Sequence, residues 1–138
     1  MFLAAILLGI ALKLGWPLPF VPSAVRLLGP LVTLCAVVLF LLSLREFRAA
    51  GTSVRGTERT GTIVRTGPYR FSRNPIYLSF ILLMAGLAVW LDDLWLFVTL
   101  IPATGVIVVV VIPREERFLE RNFHDQYLSY KAAVRRWL

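Results

Sequence analysis

Three stretches of this sequence are long, apolar and free of charge: residues 27–44 (LLGPLVTLCAVVLFLLSL), 74–91 (NPIYLSFILLMAGLAVWL) and 94–113 (LWLFVTLIPATGVIVVVVIP). A helix needs roughly 20 apolar residues to cross the hydrocarbon core of a bilayer, and each stretch meets or nearly meets that length. Residues 1–25 carry only Lys13, but Trp16-Pro17-Leu18-Pro19 breaks that run early. We read it as a short first span over about residues 2–16, with Lys13 reaching toward a headgroup region. A secretory signal is the rival reading. It lacks a basic n-region and a small-x-small cleavage site.

Composition agrees. The 138 residues are 58% hydrophobic and 17% charged, against about a quarter charged in an ordinary soluble domain. A disordered chain is excluded, and the length fits one domain over residues 1–138. With one Cys (Cys35) and one His (His124), neither an internal disulfide framework nor a Cys-based zinc site is possible. No metal is expected. Cys35 reads as a core residue and His124 as a surface residue.

The charge sets orientation. Residues 45–73 hold seven arginines (Arg45, Arg48, Arg55, Arg59, Arg65, Arg70, Arg73) against Glu46 and Glu58, and residues 114–138 hold six basic groups against four acidic ones. These two segments are separated by an even number of spans, so the positive-inside rule puts both in the cytoplasm. The expected fold is an all-α integral membrane protein. It has four transmembrane helices (about 2–16, 27–48, 75–91 and 93–112), a cytoplasmic loop 51–73, a C-terminal amphipathic interfacial helix 114–137, and both termini cytoplasmic. Nucleic acid is a poor partner for arginines pinned between two spans, and attraction to an anionic leaflet is sufficient.

Local signals refine this outline. The second helix is expected from about Arg26 to Ala50, stopped by Gly51. The loop 51–73 has four Gly and five Thr, yet Ile63, Val64, Tyr69 and Phe71 give it something to bury. A loop this long is usually functional or disordered. Asn74 and Pro75 suit the N-cap and first position of the third helix. Asp92 and Asp93 make a tight outer turn and cap the fourth, so these two helices form an antiparallel hairpin. Met84-Ala85-Gly86 and Ala103-Thr104-Gly105 are small enough for close helix contact, and Pro102 should kink the fourth helix. Beyond Pro113, Leu119, Phe123, Tyr127, Tyr130, Val134 and Trp137 recur at helical spacing, the pattern of a helix lying in the membrane interface.

Two clusters carry chemical potential. Gly67-Pro68-Tyr69-Arg70-Phe71-Ser72-Arg73-Asn74-Pro75-Ile76-Tyr77 stands at a helix entrance, where free N–H groups and positive potential suit a carboxylate or phosphate. Arg114-Glu115-Glu116 stands at the exit of the last span, where carboxylates are expensive unless paired or functional. Capped helix ends with salt bridges would explain both clusters without any ligand.

Taken together, Gly61-Thr62-Ile63-Val64-Arg65-Thr66-Gly67-Pro68-Tyr69, then Arg73-Asn74-Pro75-Ile76-Tyr77, then Glu115-Glu116 followed by Leu119, Phe123, Tyr127 and Tyr130, resemble the integral-membrane methyltransferases. That superfamily includes isoprenylcysteine carboxyl methyltransferase and the phospholipid methyltransferases. The resemblance covers about residues 26–138. It implies an S-adenosylmethionine site without a Rossmann fold, in a multi-pass membrane protein whose acceptor is a lipid or lipidated small molecule. Carried over by position, the cofactor contacts are Gly61, Thr62, Ile63, Val64, Tyr69, Asn74, Pro75, Ile76, Tyr77 and Glu115, with Arg73 beside the helix entrance receiving the carboxylate. Arg114 and Glu116 are the candidate catalytic residues, Glu116 being the base if the acceptor is a phospholipid amine. The family often has Arg-His-Pro where this chain has Arg73-Asn74-Pro75. The carboxyl methyltransferases also place a substrate-contacting Arg where this chain has Val111. Two other classes compete: a non-enzymatic scaffold binding anionic lipid, and a membrane reductase.

Overall fold

The computed structural model describes residues 1–50 and 62–138. Its elements are α1 (Phe2–Gly15), a single turn α2 (Ser23–Arg26), α3 (Leu28–Ala49), a 3-10 turn (Gly67–Arg70), α4 (Pro75–Trp90), α5 (Leu94–Val106), a π turn (Ile107–Val111) and α6 (Ile112–Ala133). Among the described residues there is no strand. Two helical rods, Ser23–Ala49 and Leu94–Ala133, are long and apolar enough to cross a membrane. The helices α1 and α4 are equally apolar but shorter, at 14 and 16 residues. Large apolar side chains such as Leu3, Leu14, Leu31, Leu34, Ile101 and Val109 face outward, as lipid contact requires. Cys35 is exposed as well, which corrects its expected place in the core. His124 is exposed, as the sequence suggests.

The tightest helix pair is α3 with α4. A methyl group at Gly29 would come within 2.5 Å of the Trp90 backbone nitrogen, and one at Gly86 within 2.6 Å of the Thr33 hydroxyl. Only glycine permits that approach, and without a hydrophobic drive between lipid-solvated helices such close packing is the main attraction. The small face of α4 is therefore spent on α3, not on the expected hairpin partner α5. Nothing lies within 4 Å of a methyl group built on Gly105. Ala36, Met84 and Ala88 fill the seam, and the buried hydroxyls of Ser43 and Ser79 donate to the carbonyls of Leu39 and Ile76 on their own helices.

At the far end of α4 the chain reverses through Asp92, a non-glycine residue with φ 52°. Its carboxylate accepts the backbone N–H groups of Phe20 (2.9 Å) and Val21 (2.8 Å) and pairs with Arg26. Those backbone donors, helped by Arg26 and Lys13, hold its pKa below the usual carboxylate range. Asp93 caps α5 as expected, accepting from the N–H groups of Trp95 and Leu96. Lys13 donates to the Leu91 carbonyl, and the Trp95 indole donates to the Trp16 carbonyl. The segment after α1 is thus fastened to this turn.

The second apolar run forms α3 from Leu28, close to its expected start, after the separate turn α2. Two other boundaries differ from the sequence reading. The helix expected to end near residue 112 does not stop before the C-terminal helix, because α5 runs through the π turn into α6. Pro113 cannot donate to the carbonyl one turn back, and the widened turn sits where that bond is missing. Finally, α6 ends at Ala133, not at residue 137. Val134 is extended (φ −124°, ψ 131°), and the tail folds back on the loop before α4. Within α6 the helix breaks at His124, whose φ is 32°.

Candidate functional site

The site is built where the chain enters α4. Residues 62–66 run without regular structure along the end of α3. The Thr66 hydroxyl donates to Glu46, and Gly67 adopts φ 57° directly against the Glu46 side chain. A β-carbon there would sit 2.8 Å from Cγ of the flexible Glu46 side chain, and the positive φ is what favours glycine. The following 3-10 turn buries Tyr69, whose ring meets Phe47 edge to face at 5.2 Å. The Tyr130 hydroxyl donates to the Tyr69 carbonyl at 2.8 Å.

The tail holds the entrance from the other side. The Arg73 backbone N–H donates to the Arg135 carbonyl (3.0 Å). The Ser72 hydroxyl and the Asn74 amide both donate to the Arg136 carbonyl (3.2 and 3.1 Å). Asn74 occupies the N-cap position but makes no side-chain cap. Its side chain is engaged by the tail, which corrects the expected capping role. The N–H groups that open α4 thus receive no side-chain acceptor.

Below them lies a cavity of about 260 Å³. Thr62, Ile63, Val64 and Tyr69 line it from the loop; Arg73, Asn74, Pro75, Ile76, Tyr77 and Phe80 from the α4 entrance; Glu115, Leu119 and Tyr130 from α6; and Phe47 from α3. A mostly apolar, aromatic wall with a few convergent polar groups is the usual form of a small-molecule site. Ten of the eleven expected cofactor contacts meet here, and Gly61 lies outside the described residues. Phe47, Phe80, Leu119 and Tyr130 were missed. Leu119 and Tyr130 belong to the helical stripe visible in the sequence, whereas nothing local marked Phe47 or Phe80.

The polar groups divide into bound and free. Glu116 is 8% exposed and joins two cations: Arg73 Nη1 at 3.0 Å and Arg136 Nη2 at 2.7 Å. Arg73 Nη1 also donates to the Tyr127 hydroxyl at 3.3 Å. The Arg73 side chain is only 10% exposed, yet its Nε has no partner. Glu115, one residue before Glu116, faces the cavity instead and accepts from the Tyr77 hydroxyl at 3.1 Å. Burial raises its pKa, the charge of Glu116 adds to that, and the Tyr77 bond opposes it. Burial also raises the phenol pKa of Tyr69 and Tyr130.

Neither expected catalytic residue belongs to the cavity lining. Glu116 is engaged by its two ion pairs. Arg114 lies on another face of α6, in a groove with Arg117 and Arg121. Adjacent helical residues point about 100° apart, and only the middle member of Arg114-Glu115-Glu116 is turned into the cavity. Among the described residues no cluster of His, Cys, Asp and Glu would hold a metal ion.

Comparison with known proteins identifies the family. The sequence model of the phospholipid methyltransferase family matches residues 24–126. A curated protein of Haemophilus influenzae, described only as uncharacterized, is 40% identical over 63 residues, which is 46% of this chain and 100% of that relative. No solved structure matches. The matched region contains the α4 entrance, the cavity-facing Glu115 and most of both long apolar rods, and the chain belongs to the phospholipid methyltransferase family, within the superfamily of membrane methyltransferases.

Proposed function

We propose that the chain is a multi-pass membrane methyltransferase that uses S-adenosylmethionine to methylate a lipid or lipidated acceptor at the cytoplasmic interface. In this reading α1, α3, α4 and α5 are four spans of one domain, with both termini cytoplasmic by the positive-inside rule. The observation that carries it is the meeting, around one cavity, of a buried guanidinium with a free Nε, an uncapped helix N-terminus and a carboxylate of raised pKa. That set is complementary to an amino acid: a cation and helix end for its carboxylate, an anion for its ammonium.

S-adenosylmethionine, when bound, supplies a methyl group on a cationic sulfur. The protein's part is placement. Arg73 and the first turn of α4 hold the carboxylate end, and Glu115 holds the ammonium. Tyr69, Tyr77 and Phe47 offer ring faces to the adenine and the sulfonium. Loop residues 62–64 line the cavity and would shield a bound cofactor from bulk water, and the acceptor would enter from the lipid side. Glu116 fixes Arg73 and Arg136.

The test is incubation of the purified protein with a membrane lipid extract and isotopically labelled cofactor, followed by mass spectrometry. A labelled lipid product is expected, and its fragments identify the methylated atom. Absence of any labelled lipid across extracts, with label likewise absent when NADPH is added, contradicts the proposal. Cofactor-dependent reduction of a lipid would favour the reductase reading instead.

A further inference from the structure

The outward face of α6 carries a second feature that the cavity does not use. Arg114, Arg117 and Arg121 follow one another at helical spacing along a groove floored by Phe118 and closed by Asn122, with a volume of about 510 Å³. All three arginines are exposed, and no residue of this groove lines the reacting cavity.

The groove is a concentration of uncompensated charge. No carboxylate lines it. Elsewhere in the described chain Glu46 accepts from Thr66, Asp92 pairs with Arg26 and Asp93 caps α5. Glu115 accepts from Tyr77, Glu116 joins Arg73 and Arg136, and Glu120 pairs with Lys131 at 2.6 Å. Asp125 lies beyond the break at His124. Arg117 Nε donates only to the Pro113 carbonyl of its own helix. Like charges spaced three and four apart on a helix repel, so a counter-anion from outside the chain would relieve all three at once.

Position indicates which anion. One to two turns before Arg114, Val106, Val109 and Val110 are exposed and apolar. The face therefore changes from apolar to basic over a single turn, as at the boundary between acyl chains and phosphates. Guanidinium forks match phosphate oxygens in pairs, and Phe118 gives the glycerol and upper chain an apolar floor. We propose that Arg114, Arg117 and Arg121 form a binding site for the phosphate headgroup of an anionic phospholipid, separate from the acceptor site. Such a lipid fixes the height and rotation of α6, and with it the aim of Glu115 on the opposite face. The inference rests on membrane insertion of the α5–α6 rod and not on which cofactor fills the cavity.

The test uses the full chain in phosphatidylcholine nanodiscs with or without phosphatidylglycerol, native mass spectrometry of the released complex, and the double variant Arg117→Gln/Arg121→Gln. Retention of phosphatidylglycerol over phosphatidylcholine is expected for the parent. It should fall about thirtyfold in the variant, the effect of two basic residues at an anionic surface. The unfolding midpoint in neutral detergent should stay unchanged, which shows that the variant is folded. The single variants Arg117→Gln and Arg121→Gln should each lose part of the preference. Arg45→Gln/Arg48→Gln, which removes two exposed charges from the end of α3, should keep it. Equal loss in that second pair would reveal a general charge effect and overturn the site. So would undiminished retention in the first pair, or full displacement of the lipid by inorganic phosphate.

Discussion

The two ends of α4 are about 24 Å apart at the rise of an α-helix, and they treat polar groups in opposite ways. At the Trp90 end, the carboxylates of Asp92 and Asp93 accept from backbone N–H groups, and Arg26 closes the turn. Among the described residues Asp93 Oδ2 is left without a partner, but the other contacts there fasten α1 to the bundle. At the Pro75 end, the cap is not made, Arg73 Nε has no partner and Glu115 is held where ionisation is disfavoured. Buried polar groups are nearly always paired. At the Pro75 end a guanidinium with one unpartnered nitrogen, an uncapped helix start and a carboxylate are gathered around one cavity, which is the basis of the proposed ligand site. Glu116 shows the contrast over one residue: it is paired with Arg73 and Arg136, while Glu115 beside it faces the cavity.

Substitutions can break this comparison. The largest effect is expected from Glu116→Ala. It strips the anion from two cations in a largely buried network, and breaking such a pair costs roughly 3 kcal/mol. The measurement is the unfolding midpoint in detergent, and an unchanged midpoint would show that the network is ornamental. Glu115→Gln should do the reverse. Cofactor-analogue affinity should fall by at least about tenfold, roughly 1.4 kcal/mol, while stability at neutral pH is kept or improved. The sign follows from linkage. The folded-state pKa of Glu115 lies above the unfolded value, so its contribution to stability is largest below the unfolded pKa and is lost as pH rises through the folded one. Ligand affinity moves the other way, because only the carboxylate pairs with an ammonium. Affinity should therefore drop on acidification at a pH above the ordinary glutamate range, and Glu115→Gln should abolish that dependence.

Smaller effects are expected at the other end. Asp93→Ala removes the α5 cap and should lower stability by about 1 kcal/mol, with ligand affinity unchanged. Asp92 has a depressed pKa, so its stabilising contribution is present above the unfolded value and lost as pH falls through the folded one. Acid-unfolding curves of Asp92→Asn should lack that component. Smallest of all, Cys35→Ser and His124→Ala change exposed side chains and should leave methyl transfer intact. Loss of turnover in either, with the fold preserved, would extend the site to regions where we see none.

Much of this organisation was legible before any coordinates. Charge-free runs located the long rods, and the Asp93 cap and the start of α4 at Pro75 followed from local chemistry. The α4 entrance and Glu115 were marked by helix-end and carboxylate chemistry and joined into one site by resemblance, and they do meet around one cavity. What escaped the sequence depends on which way a helix is rotated and on chain return. Met84-Ala85-Gly86 announces close packing but does not name the partner, and α3 took the place expected for α5. Phe47 and Phe80 look like any apolar residue of a span. The tail was expected to stay helical to residue 137, yet the chain becomes extended at Val134 and stitches to Ser72, Arg73 and Asn74. That return takes the Asn74 side chain away from capping and gives Glu116 its second cation. Neither effect has a local signal.

The most direct measurement is a calorimetric titration of S-adenosylhomocysteine into the detergent-solubilised full chain, run in parallel on Glu115→Gln. A cavity complementary to an amino acid predicts saturable binding to the parent and at least about tenfold weaker binding to the variant. It also predicts a rise in thermal stability that grows with ligand concentration, about 2.7 kcal/mol at a hundred times Kd. No heat and no stabilisation with ligand at millimolar concentration, or equal affinity in both proteins, would contradict it.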